Sequence, residues 1–164
     1  MNENAQPSAE EQKKIDRLKT PEECEQFLKN IELTHPHLIH AVRRHAVSLR
    51  ATAHNASSPV LRDIWEAVYA YEEVLYLRHK RRLRAGHTRR SIALRGAVEA
   101  IEEITRRKEL TEGFHRMREA GLFDKTFEAV VMRHPTAFSM QAVAAAKEKL
   151  ERAANPPSQI EESV

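Results

Sequence analysis

The sequence predicts an all-α protein, a single-domain bundle of six to eight helices arranged around a long central helix. The chain has 164 residues, which is enough for one domain with one sizeable core. It contains only four glycines and five per cent aromatic residues, and it is rich in Ala, Leu, Glu, Arg and Lys. Such side chains lose little rotamer freedom in a helix, and apolar residues recur at the 3.6-residue spacing of amphipathic helices.

Three helices are predicted in the first third of the chain, over residues 8–18, 20–33 and 34–53. Ser8 and Glu11 are spaced as a capping box, in which each side chain satisfies a free backbone N–H of the other residue. Thr20 repeats this pattern with Pro21 at the first helical position, where a missing N–H costs nothing. Thr34 opens the third helix, and the stretch "HNASSP" after it predicts a loop.

Two middle helices are predicted to organise the bundle, over residues 59–84 and 88–107. Ser58 and Pro59 start the first of them, which is the longest in the chain. Two apolar stripes run along it, and they predict packing on two sides, either as the central helix or at a dimer interface. Gly86 is predicted to end this helix, and Thr88 or Ser91 to begin the next one.

Three shorter helices are predicted in the last third of the chain. The first runs from Thr111 to Gly121. The second, "KTFEAVVMRH", follows Asp124 as its cap, and the third, "MQAVAAAKEKLERA", follows Ser139.

The helical domain is predicted to span residues 1–154, with residues 1–7 disordered. Residues 155–164 are predicted to form a flexible tail. Prolines in that tail block helix formation, and it has little apolar surface to bury.

A His-Pro pair occurs twice, at His35-Pro36 and at His134-Pro135. A residue before proline avoids the helical region, so both pairs are typical of helix boundaries. Ala-Val and a later Leu follow each pair. Two related helical hairpins are therefore predicted on either side of the middle helices. Their similarity in sequence could reflect a true repeat or chance.

The positive charge of the chain is concentrated in residues 78–95, here called the basic segment. The formal net charge is +3, yet this segment contains eight basic side chains and no acidic one. Such asymmetry is typical of a protein with a polyanionic partner, and guanidinium groups bind phosphates with paired hydrogen bonds. The predicted nucleic-acid-binding residues are Arg78, Lys80, Arg81, Arg82, Arg84, His87, Thr88, Arg89, Arg90 and Arg95.

Two features of the basic segment favour duplex DNA. No aromatic residue lies between Leu77 and Phe114, so the stacking platforms typical of single-strand and RNA binding are missing locally. Two helices joined by a glycine-containing turn form a basic helical hairpin, similar in outline to a helix-turn-helix. The dipole at a helix end partly explains basic residues up to Arg84, but it does not explain Arg89 and Arg90 at a helix start.

The predicted function is therefore non-enzymatic binding of duplex DNA, in a regulator or nucleoid-type protein that acts as a homodimer. The two apolar stripes of the long helix are the reason to expect a homodimer. The alternative is a helical protein–protein interaction module whose basic segment docks an acidic partner. Salt dependence separates the two, because binding to duplex phosphates weakens steeply as salt increases.

Other function classes have weak signals in the sequence. The single cysteine, Cys24, excludes an intramolecular disulfide and a cysteine-based zinc site, and its apolar neighbours favour a core position. His37, His40 and His45 do not point at a single ion from one helix, so no metal or other cofactor is predicted. No phosphate-binding loop or nucleophile elbow is present, and no enzyme is predicted. Without a membrane-spanning stretch or a signal-peptide pattern, the predicted location is cytoplasmic.

Two stretches of the chain resemble known sequences. "AVYAYEEVL" (67–75) and "TFEAVVMRHPTAFSMQAV" (126–143) are similar to segments of an uncharacterised family of small bacterial helical proteins. This resemblance implies a bacterial cytoplasmic protein and no particular activity.

Overall fold

Helix is the only regular secondary structure in residues 6–155, the part of the chain that the computed structural model describes. The α-helices in this range are α1 (Ala9–Asp16), α2 (Pro21–Ile31), α3 (Ile39–Thr52), α4 (Pro59–His79), α5 (Gly86–Arg95), α6 (Ala97–Arg106), α7 (Glu112–Glu119), α8 (Phe127–Arg133) and α9 (Met140–Ala154). Short 3-10 turns occur at Pro36–Leu38, Phe123–Lys125 and Pro135–Ala137.

The predicted all-α single domain is confirmed. The nine α-helices within residues 6–155 exceed the predicted six to eight, because the helix predicted over residues 88–107 is divided in two. The disorder predicted at both ends of the chain concerns positions that, apart from residues 6, 7 and 155, lie outside the described range.

Most helices begin at the side chains that the sequence predicts. Ser8 and Glu11 form the capping box of α1, in which the Glu11 carboxylate accepts the Ser8 N–H at 2.8 Å. Thr20 and Glu23 form a second capping box at the start of α2. A hydroxyl that accepts a backbone N–H also begins α4, α7 and α9, at Ser58, Thr111 and Ser139.

Three predicted helix starts are wrong, and the first two are those of α8 and α3. Thr126, and not Asp124, caps α8, because the Asp124 carboxylate forms an ion pair with Arg44 on α3. The helix α3 begins at Ile39 rather than Thr34, because the chain first makes a 3-10 turn after the His-Pro pair.

The long helix α4 ends at His79, before the predicted end at Arg84. Lys80 adopts the left-handed conformation, with a φ of 58°, and the chain then leaves the helix axis. This turn brings the Arg82 guanidinium back to within 2.6 Å of the Glu73 carboxylate on α4. In a continuous helix these two residues would lie about 13 Å apart along the axis, so their ion pair favours the earlier end.

The helix predicted over residues 88–107 consists of α5 and α6. Gly96 separates them with a φ of +90°, a conformation that residues other than glycine rarely adopt. The helix α5 begins at Gly86 rather than Thr88 or Ser91. The sequence predicted that Gly86 ends α4, but Gly86 is instead the first residue of α5.

The helix α4 is the central helix, as predicted, and it packs against α3, α6, α7 and α8. Its Ile64 and Ala67 belong to a core cluster with residues of α6, α8 and α9. Ala70 and Val74 belong to a second cluster with residues of α3 and α7. Residues of both apolar stripes therefore pack against other helices of this chain, so the stripes no longer require a dimer interface on α4.

The two predicted helical hairpins are α2–α3 and α8–α9. A histidine lies between the helices of each, with φ −138° and ψ 59° at His35 and φ −125° and ψ 52° at His134. The proline after each histidine opens a 3-10 turn. Both hairpins pack against α4, so the likeness in sequence corresponds to a likeness in backbone and in position.

Candidate nucleic-acid interface

The predicted binding residues lie at the end of α4, in the linker of residues 80–85 and on α5. Their eight cations divide into two groups. One group forms ion pairs with carboxylates from elsewhere in the fold, and its members are Arg78, Arg82, Arg89 and Arg95. The other group forms no ion pair with any residue of the described range, and its members are Lys80, Arg81, Arg84 and Arg90.

Arg82 joins the linker to two helices. Its guanidinium lies 2.6 Å from the Glu73 carboxylate on α4, forms a second ion pair with Glu25 on α2, and stacks on the Tyr76 ring at 3.9 Å. Glu73 is only 3% exposed and also pairs with Arg50 at 3.3 Å. Burial of Arg82 disfavours its charge, but the hydrogen bond and attraction of Glu73 raise the pKa overall. Its first role is thus to hold the linker against the fold.

Arg89 fixes α5 to α4. Its Nε and Nη2 atoms donate to the two Glu72 oxygens at 2.6 and 3.0 Å, and these hydrogen bonds raise the pKa of the guanidinium. The same guanidinium lies 5.0 Å from the Tyr69 ring centroid. Glu72 also accepts the backbone N–H of Ala85, at 2.8 Å. The expectation that the fold would not explain Arg89 is therefore corrected, because Glu72 explains it.

Arg78 and Arg95 form pairs at the surface. Arg78 lies 2.8 Å from the Glu112 carboxylate, and Arg95 lies 3.1 Å from that of Glu103. All four side chains are about half exposed. Exposed pairs of this kind contribute about 0–1 kcal/mol, so a phosphate can replace either carboxylate at small cost.

The unpaired cations lie before and after the start of α5 in the chain. Lys80, Arg81 and Arg84 are exposed on the linker that leads into this helix, and Arg90 is exposed one turn after its start. The N-cap residue of α5 is alanine, which provides no side-chain cap. The N–H groups of His87 and Thr88 consequently have no acceptor in the described residues. Free N–H groups at a helix start attract anions, as do the cations nearby in the chain.

Three aromatic rings near the basic segment are in contact with other side chains. Arg82 stacks on Tyr76, and Arg89 lies against Tyr69 and Trp65. His54 stacks on the Trp65 ring with centroids 3.8 Å apart. The rings of Trp65, Tyr69 and Tyr76 are thus engaged by other side chains, whereas Tyr71, Phe114 and Phe127 line a cavity together with Arg84.

The acids that neutralise the paired cations, above all Glu25, Glu72 and Glu73, were not predicted from the sequence. They come from α2 and α4, and none lies within the basic segment. One signal was available, because Glu73 is placed among apolar residues of the central helix, three residues after Ala70 and four before Leu77. A buried carboxylate needs a cationic partner, and arginines follow within the next ten residues.

Other chemistry has little support in the described residues. They contain no group of three or more His, Cys, Asp or Glu residues that could hold a metal ion. His37 in the first 3-10 turn lies 3.0 Å from the Glu11 carboxylate on α1, and His45 on α3 donates to the carbonyl oxygen of Leu18, between α1 and α2, at 2.8 Å, so both histidines have structural contacts. Cys24 is in the core, as predicted, and burial raises the pKa of its thiol to about 11. No helix of residues 6–155 is long and apolar enough to cross a membrane.

Comparisons with protein-family models, curated proteins and solved structures give no match to this chain. The resemblance of residues 67–75 and 126–143 to small bacterial proteins stays a prediction. The fold and the basic segment are thus the two features from which a function can be argued.

Proposed function

We propose that the protein binds duplex DNA, without enzymatic activity, through Lys80, Arg81, Arg84 and Arg90. The observation that carries the proposal is that these four cations have no carboxylate partner within residues 6–155, although they are confined to residues 80–90. Like charges held this close repel one another, and an anionic partner relieves that repulsion. A polyanion with regularly spaced phosphates satisfies several cations at once.

The start of α5 supports a phosphate as the bound group. The N–H groups of His87 and Thr88 are free, and Arg84 and Arg90 lie on either side of them in the chain. A phosphate oxygen can accept backbone N–H groups while guanidinium groups bind the same phosphate, which fixes the protein on the duplex without reading its sequence.

Duplex DNA is favoured over single strands because the basic segment contains no aromatic residue and the nearby rings of Tyr76 and Trp65 already contact other side chains. Single-strand binding relies on bases that stack on aromatic side chains. In this protein Tyr76 is covered by Arg82, and Trp65 by His54. These cations would therefore bind the phosphate backbone and would not read the base sequence. Such binding is typical of a nucleoid-type protein, or of a regulator in which other residues contact the bases.

A second candidate is an acidic protein partner, and one observation favours it. Leu94 is 77% exposed, and it lies one turn after Arg90 on α5, the helix that has no buried residue. Protein interfaces commonly combine arginine with an apolar side chain. An interface of this kind predicts a shallow salt dependence and a loss of binding when Leu94 is replaced by a polar residue.

The test is a titration of duplex DNA at several salt concentrations between about 50 and 200 mM. The variant Lys80→Gln/Arg81→Gln/Arg90→Gln removes three unpaired cations. The control Lys13→Gln/Lys14→Gln/Arg17→Gln removes the same charge from α1 and its end, where these side chains are also exposed and unpaired in the described range.

Four phosphate contacts per chain predict a slope of log affinity against log salt of about −3.6, and a homodimer about twice that. The cluster variant should make the slope shallower by about 2.7 per chain, and the control should leave it close to that of the unchanged protein. Absence of binding at low salt, or equal losses in the two variants, would contradict the proposal.

A further inference from the structure

A cavity of about 380 Å³ lies between the start of α5 and the core. Residues of α4, the linker, α6, α7, α8 and α9 line it. Its apolar wall is formed by large side chains from these helices, namely Tyr71, Leu75, Ile104, Phe114, Met117 and Phe127. Small-molecule sites have volumes of about 300–1,000 Å³ and are lined by apolar side chains with a few polar groups, so this cavity has the size and the wall of such a site.

The polar part of the lining includes the start of α5. Arg84, His87 and Thr88 line the cavity, together with the hydroxyl-bearing Ser91 one turn later. Arg84 has no ion pair in the described range, and the N–H groups of His87 and Thr88 have no acceptor there. A cation, free N–H groups and hydroxyls thus meet in one short stretch at a positive helix end, where a carboxylate is favoured.

The other charged side chains of the lining are mostly neutralised. Lys149 is paired with Glu128 at 3.0 Å, and Lys125 is paired with Glu66. On the remaining lining, Arg107 pairs only at the surface, 3.4 Å from Glu103. Glu109 is the one carboxylate of the lining without an ion pair in residues 6–155. Arg84 and Glu109, the lining side chains without an ion pair in residues 6–155, balance in formal charge, so the positive end of the cavity is the start of α5, where Arg84 lies beside the free N–H groups.

We propose that this cavity binds a carboxylate with a medium-length apolar tail. The tail packs against the apolar wall, and the carboxylate lies at the start of α5, where it accepts the free N–H groups and pairs with Arg84. The carboxylate position shares Arg84 and the N–H groups of His87 and Thr88 with the proposed phosphate contact, so this inference rests in part on that anion site. It goes beyond DNA binding in the apolar cavity. The DNA-binding test changes Lys80, Arg81 and Arg90, none of which lines the cavity, so the two proposals can fail separately. Access depends on α5, which has no buried residue and is attached to α4 by the Arg89–Glu72 pair.

The probe is dodecanoate, titrated by calorimetry below its critical micelle concentration. Dodecyltrimethylammonium is the control ligand, with an equal chain and the opposite charge. We expect one dodecanoate per chain. Affinity for the cationic control should be at least about tenfold lower, because Arg84 and the free N–H groups at the start of α5 bind an anion and not a cation. Failure to bind dodecanoate, or equal affinity for the two ligands, overturns the proposal.

Two variants locate the site. Ser91→Phe fills the cavity from α5 and should abolish binding, whereas Ala93→Phe adds the same ring on the exposed side of the same helix and should not. Arg84→Gln changes an exposed side chain, so the fold is retained, and it should weaken dodecanoate binding about tenfold through loss of a charge-assisted hydrogen bond. Unchanged affinity in Ser91→Phe or in Arg84→Gln contradicts the assigned position.

Discussion

Arg89 provides the sharpest test of how the basic segment is used, because the sequence marks it as a partner contact while the structure pairs it with Glu72. The perturbation is Arg89→Gln, with Glu72→Gln and the double variant to complete a double-mutant cycle. Arg90→Gln is the matched control, since Arg90 is adjacent, exposed and without an ion pair in the described residues.

The magnitude follows from the geometry of the pair. Two charge-assisted hydrogen bonds, at 2.6 and 3.0 Å, join side chains that are 20% and 12% exposed. Hydrogen bonds to charged groups contribute about 1.5–3 kcal/mol, and breaking a fully buried pair costs about 3–5 kcal/mol. For this partly buried pair we expect Arg89→Gln to lower the free energy of unfolding by about 2–3 kcal/mol. The expected change in Tm is about 5–10 °C for a chain of this size.

Urea denaturation followed by circular dichroism measures the loss, and amide hydrogen exchange shows whether it is concentrated in α5. The cycle should give a coupling energy of about 1–2 kcal/mol between Arg89 and Glu72. Arg90→Gln should stay within about 0.5 kcal/mol of the unchanged protein. If Arg89→Gln lowers the free energy of unfolding as little as Arg90→Gln and no coupling energy appears, the Arg89–Glu72 ion pair does not hold α5. Arg89 would then belong with the unpaired cations.

Two further predictions concern single helix contacts. Lys149→Met leaves the Glu128 carboxylate buried without a partner and should lower the free energy of unfolding by about 3–5 kcal/mol. Adding Glu128→Leu to the same chain should restore most of this loss. Urea denaturation that shows equal losses in the single and the double variant would contradict the prediction. Hydrogen bonds from the Ser8 backbone and His37 lower the pKa of Glu11 from 4.5 to about 2. The stabilisation from ionised Glu11 is therefore complete above pH 4.5 and is lost as the pH falls towards 2. An NMR titration that gives a pKa near 4.5 for the Glu11 carboxyl would refute this prediction.

Local sequence signals predicted the helices, because helix starts depend on residues a few positions apart. Ser8 with Glu11, and Thr20 with Pro21, act within a single turn, and the structure confirms both. The prediction was wrong where a distant contact decides the conformation. The end of α4 depends on Arg82 returning to Glu73, and a pattern of helix-forming residues does not contain that contact.

The composition of the candidate site was predictable, but its division into paired and unpaired cations was not. Counting charges along the chain finds eight cations without an acid between them. The acids that pair with four of them come from α2, α4, α6 and α7, at separations of up to 57 residues, as for Arg82 and Glu25. Pairing of that kind depends on how helices pack, and the spacing of residues in one segment carries no information about it.

The paired arginines also give the unpaired cations a fixed position. Arg82 attaches the linker to α2 and α4, and Arg89 attaches α5 to α4, so Arg84 lies between two anchors and Arg90 directly follows one. Ordering a long side chain and a loop on binding costs about 0.5–1.5 kcal/mol per immobilised side chain, and part of this cost is avoided where the backbone is already held. On this reasoning the neutralised arginines contribute to anion binding without contacting the anion. Loss of Arg89 should then weaken duplex binding by releasing α5, at a salt slope that stays unchanged because no phosphate contact is removed.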